Sequence, residues 1–157
     1  MMLPSLFRFT TDQPTAPQTG RWEDDRGAAI EVDLSALEGM GCAIRELRGT
    51  LPRLADATAE AWRAWGEDLC RRVTYLLEPL ALLEVDSQTP GILIRSLLSA
   101  NHTEPARYYE LRSESAGTVR LRRYAVEPHA SQRTPLEFQV TLEVLEKLAR
   151  DVAEAGR

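Results

Sequence analysis

Lysine is almost missing from this chain: Lys147 is the one lysine among 19 Lys and Arg residues, so nearly every positive charge is a guanidinium. Those bases face 24 Asp and Glu, which leaves a formal charge of −5. A chain of that sign is repelled on average by phosphate backbones, and nucleic-acid binding then requires a concentrated basic patch. Cysteine is scarce too. Cys42 and Cys70 have no CxxC spacing, which argues against a disulfide framework or a thiolate metal cage and makes a reducing cytoplasm the simplest setting. Long apolar runs are also lacking: "VTYLLEPLALLEVD" is cut by Glu78, Pro79, Glu84 and Asp86, short of the ~18 to 20 residues a membrane helix needs. The first residues have no basic start followed by a continuous apolar core, the run breaking at Pro4 and Arg8, so no secretory signal is expected. Asn101-His102-Thr103, formally a glycosylation sequon, is therefore read as a loop. Walker, GxGxxG, HExxH and GxSxG signatures are absent, and no cofactor is expected.

What the chain does contain is a domain's worth of apolar residues. Its 157 residues, 43% hydrophobic, suffice to bury roughly 70% of the unfolded surface in one core. Residues 1–27, with Pro4, Pro14 and Pro17 and no periodicity, read as an irregular arm whose "LFRF" can add to a sheet edge; 28–157 read as a single α+β domain. "AAIEVDL" alternates like a strand, yet Leu34, Leu37, Met40, Ile44 and Leu47 also fit a helix weakened by Gly39 and Gly41, so 28–48 stays open. From a Thr50 cap, Leu51, Leu54, Thr58, Trp62, Trp65, Leu69, Val73 and Leu76 recur at three- and four-residue steps, predicting one long amphipathic helix that ends before Pro79. Four short runs follow, "LALLEVD", "GILIRSLLS", "RYYELRSE" and "TVRLRRYAVE", separated by turn-forming residues. A last helix starts at Thr141 and carries Leu142, Leu145, Leu148 and Val152 on one stripe. The expected fold is thus α+β, a four-stranded antiparallel meander packed against a long helix and a C-terminal helix. In size, charge and that element order the chain resembles the small acidic helix–sheet–helix proteins that include dedicated secretion chaperones.

The stretch "RYYELRSESAGTVRLRRYAVEP" concentrates arginine and tyrosine about one turn. A three-residue loop Ser115-Ala116-Gly117, with Gly117 at positive φ, sets Leu111 opposite Leu121 and Ser113 opposite Val119 on the inner side. Glu110 then faces Arg122, Arg112 faces Arg120 and Tyr108 faces Tyr124 on the outer side, whereas a two-residue loop would mix the two faces. Read this way the hairpin is a solvated ionic ladder, and the alternative, a nucleic-acid surface, is disfavoured. Alternation points Arg123 inward beside Tyr109 unless a bulge intervenes; with Tyr108 and Tyr124 it forms the candidate binding surface.

One chemical constellation is conceivable. An up-and-down meander brings loops 99–105 and 128–135 to one end, where His102, Glu104, Glu127 and His129 would form a zinc or acid–base set, though none of their spacings is diagnostic. Cys70, next to the buried stripe, reads as an inert half-buried thiol, and Trp62 and Trp65 as core. "LALL" and "ILI" are apolar on both faces, which predicts a second cover from the arm or from another copy. The favoured function is a non-enzymatic protein-binding or adaptor module, working as a homodimer and bound to no membrane; the alternatives are a small-molecule or metal activity at the His102/His129 end and nucleic-acid binding by the hairpin.

Overall fold

The structure, a computed structural model, describes residues 7–11, 13, 16–96, 106–127, 129 and 132–157. These form one antiparallel sheet of ten strands with two helices. The expected four-stranded meander is therefore only part of the architecture. Its strands are β5 (Leu80–Asp86), β6 (Gly91–Ser96), β7 (Ala106–Ser113) and β8 (Thr118–Val126), neighbours in that order. The sheet continues past β8 into β4 (Gly41–Thr50), β3 (Ala29–Glu38), β2 (Gln18–Glu23) and the short β1 (Arg8–Phe9). Two strands lie off that path: β9 (Arg133–Leu136) pairs with the second half of β8, and β10 (Phe138–Thr141) with the first half of β4. A mostly β molecule, rather than a meander under a long helix, results from tertiary pairing that single runs of residues do not reveal.

Residues 28–48 resolve as strands, and the reason lies in a pair of register shifts. Ile30, Val32 and Leu34 in β3 and Cys42 and Ile44 in β4 point inward with near-complete burial. Pairing skips Arg45 on β4 and Ser35 on β3, so the phase of β4 moves by one and Leu47 returns to the core while Glu46 and Arg48 face out. This slip is what made Leu34, Leu37, Met40, Ile44 and Leu47 look helical. Gly49 lies where β4 passes under the last helix: a Cβ there would stand 2.9 Å from Val119 and 3.3 Å from Val152.

The first helix, α1, spans Ala59–Arg72, shorter at both ends than the periodicity implied. Thr50 is the last residue of β4 and not a cap; Pro52–Leu54 make a 3-10 turn preceded by Leu51, and Thr58 caps α1 by accepting from the amide of Ala61. The second helix, α2 (Leu142–Glu154), starts the same way, with Thr141 accepting from Val144. Strands followed by a helix thus occur twice along the chain, although no internal repeat shows in the residues.

Both helices cover the inner face, α1 over β5 and β6, and α2 over β3, β4 and β10. Gly66 lets α1 come down onto the sheet, since a Cβ there would meet Ile92 at 2.8 Å and Leu82 at 3.3 Å. Trp62 and Trp65 pack edge-to-face with centroids 5.8 Å apart, and the Trp65 indole donates to the Val152 carbonyl at 3.0 Å, joining the helices. Asp68 fastens the same seam by accepting from Gly156 N at 2.8 Å and from Arg72 Nε at 2.9 Å. Arg71, one turn on, also pairs with Asp68.

Candidate functional site

Among the described residues the outer face of the sheet carries no helix, and its chemistry is ionic. Two carboxylates organise it. Glu46 on β4, 6% exposed, receives Arg48 Nη1 and Arg122 Nε at 2.5 Å each, with Arg120 Nε at 3.3 Å. Glu110 on β7, 4% exposed, receives Arg95 Nε from β6 at 2.8 Å and Arg133 Nη1 from β9 at 2.7 Å. Burial works to raise the Glu110 carboxyl, but the hydrogen bonds and charges of Arg133 and Arg95 outweigh it and hold the group below its usual range. Arg48 extends the lattice to Asp33 at 2.7 Å and Glu31 at 3.3 Å, and the hydrogen bond from Arg48 keeps the Asp33 carboxyl low.

The hairpin has the register expected of it: Glu110↔Arg122, Arg112↔Arg120, Tyr108↔Tyr124 and Leu111↔Leu121 are all paired. Gly117 takes φ +75°, and Ala116 joins it at φ 60°, so two successive left-handed residues turn the chain. The identity of the ionic partners differs from the cross-strand expectation. Arg122 bonds to Glu46, 76 positions away in sequence, while Glu110 is taken by Arg95 and Arg133. Arg133 also lies over the Tyr124 ring at 3.8 Å and Arg95 over Tyr108 at 5.2 Å, so both tyrosines of the candidate surface are stacked under guanidinium groups. Arg123 points inward without a bulge. It reaches Glu78 at 3.0 Å and lies 4.3 Å over the Tyr109 ring, a paired charge in the core.

His102 and Glu104, half of the proposed metal set, fall outside the described residues. Glu127 and His129 are both exposed, His129 at φ 69°. Among the described residues no group of three or more His, Cys, Asp or Glu converges. Cys42 and Cys70 have thiols pushed up to about 11, each by burial first and then by a nearby glutamate, Glu146 and Glu67 respectively. Neither is poised as a nucleophile.

No family model, curated protein or solved structure matches the chain.

Two further features bear on binding. The N-terminal strands β1 and β2 lie at the edge opposite β5, so they do not cover the outer side of β5 and β6. Leu83 is 51% exposed at the register shift between Leu82 and Glu84, and Leu77, just before β5, is 79% exposed. The second feature is an open cleft of about 650 Å³ between the tip of the β7–β8 hairpin, the β5–β6 turn and the start of α1. It exists because the hairpin tip leans toward the 3-10 turn: Leu51 N donates to Gly117 O at 2.9 Å, while β7 leaves β6 after Arg112 and only Ser113 Oγ still accepts from Ile92 N at 2.7 Å. Sequence reasoning missed this cleft, since it joins three segments distant along the chain.

Proposed function

We propose that the chain is a non-enzymatic protein-binding module that works as a homodimer. The observation that carries this reading is the β5 edge. β5 runs seven residues at the rim of a large sheet and has an exposed leucine, whereas the opposite rim is closed by the two-residue β1. Exposed edges of this kind are where sheets recruit another chain. The shift at Leu83 interrupts a continuous ladder, so the contact is made by Leu83 and Leu77 packing against a second copy as well as by strand pairing.

The outer face fits the same reading. Its arginines are committed to Glu46, Glu110, Glu31, Asp33 and Glu114, which leaves little uncompensated positive charge for a polyanion. The chaperone likeness, by contrast, rested on an order of helix, four strands and helix that the structure replaces with strands, helix, strands and helix. Light scattering at micromolar concentration tests the proposal: a dimer is expected for the native chain and a monomer for Leu83→Asp. A native chain that stays monomeric across the micromolar range removes it.

A further inference from the structure

The cleft beside the hairpin tip differs from the rest of the surface in its charge balance. On the sheet face every buried carboxylate has guanidinium partners, but at the cleft Asp56 and Glu84 have no hydrogen-bond or ion-pair partner among the described residues. Asp86 and Glu114 add two more carboxylates to the rim; Asp86 uses one oxygen to accept from the amides of Gln88 and Thr89, and Glu114 holds Arg120 at 2.8 Å. One guanidinium, Arg112, opposes them, 58% exposed and drawn weakly toward Glu110 at 3.7 Å. Beneath the rim the lining is apolar, with Leu54, Ile92 and the half-buried Leu93. A volume of about 650 Å³ is larger than one side chain requires and lies within the range of small-ligand and peptide sites.

From this juxtaposition we propose that the cleft receives an extended segment of a partner protein in which arginine or lysine side chains flank an apolar one. The apolar side chain enters against Ile92 and Leu93, and its cationic neighbours reach the carboxylates of Asp56 and Glu84. An acidic segment is repelled by the same rim, and a purely apolar one leaves the carboxylates to be desolvated without a partner. The cleft lies at the turn end of β5, whereas Leu77 and Leu83 lie at or before its middle, so the two surfaces can act separately. The inference rests on the protein-binding reading but not on the dimer.

The test uses the full chain and three fluorescent decapeptides of alternating Arg and Leu, Ser and Leu, or Glu and Leu, followed by anisotropy. Binding of the Arg/Leu peptide alone is expected, weakening as salt shortens the range of the charges. Asp56 and Glu84 are exposed, so Asp56→Asn with Glu84→Gln leaves the fold intact by circular dichroism and weakens binding about tenfold. Glu38→Gln with Glu67→Gln, which removes the same charge from exposed positions elsewhere, leaves affinity within about twofold. Equal loss in that control pair, equal binding of the Ser/Leu peptide, or no binding of the Arg/Leu peptide overturns the proposal. Light scattering of the Leu83→Asp chain is read separately, so a failed dimer and a failed cleft are told apart.

Discussion

Replacing Glu46 by glutamine is the perturbation that probes the outer face most directly. The side chain is 7% exposed and receives three guanidinium groups whose own side chains are 31 to 39% exposed. The site is intermediate between a surface pair, worth ~0.2 to 1 kcal/mol, and a buried pair whose disruption costs ~3 to 5 kcal/mol. Glutamine keeps the shape and one acceptor, but it cancels the negative charge that Arg48, Arg120 and Arg122 share and presents an NH₂ donor to groups that are themselves donors. A loss of about 2 to 3 kcal/mol is expected, which lowers the melting temperature by roughly 4 to 12 °C for a chain of this size. Urea unfolding at neutral pH measures it, and a double-mutant cycle with Arg122→Met isolates the pairwise part. The functional readout is as informative. The native chain is expected to show no salt-sensitive retention on heparin or single-stranded DNA, whereas Glu46→Gln with Glu110→Gln frees a row of arginines and acquires it. Stability unchanged within ~0.5 kcal/mol, or polyanion binding by the native chain equal to that of the double variant, would refute the reasoning that these arginines neutralise themselves within the sheet.

Further outcomes are expected at three other places. Gly117→Ala must place a Cβ on a residue at φ +75° and 2.8 Å from Ala55 N, which lowers stability by at least ~2 kcal/mol, while Ala116→Gly at φ 60° is neutral or slightly stabilising by urea unfolding. The Asp68 carboxyl sits at about 2, held there first by the Gly156 amide and then by Arg72 and Arg71, well below the ~3.9 of an unfolded chain. A depressed carboxyl supplies stability above pH ~4 and loses it as pH falls toward 2, so Asp68→Asn flattens the acid limb by about 1 kcal/mol after solvent screening, as acid unfolding curves will show. With both thiols at about 11, Cys42 and Cys70 in the native protein react with Ellman's reagent at pH 8 roughly a hundredfold more slowly than after denaturation in guanidinium; comparable rates would contradict their burial.

Local chemistry made part of this legible in advance. The hairpin register followed from a three-residue loop and a period of two, both contained within 107–126, and Thr141 announced α2 because a cap acts on an amide three residues away. Trp62, Trp65 and Leu69 declared the buried side of α1 by spacing alone, yet the start of that helix was misplaced by eight residues because Thr50 and Thr58 are equally good caps until β4 is known to need Thr50 opposite Ala29 and Thr118. β9 and β10 have little pattern of their own. Their four-residue runs become strands because β4 and β8 part company and leave unpaired backbone on both sides.

The residues by themselves determined the charge balance, the alternation of the hairpin faces and the buried stripes of both helices, since each depends on neighbours a few positions away. Tertiary structure alone decided which acid each arginine meets, why 28–48 is extended despite a helical spacing, and that a cleft opens between Asp56, Glu84 and Glu114. Those outcomes depend on partners brought together across the sheet, Glu46 to Arg122 and Leu51 to Gly117 among them, and contacts between such distant positions are set by the packing of the whole chain rather than by any segment of it.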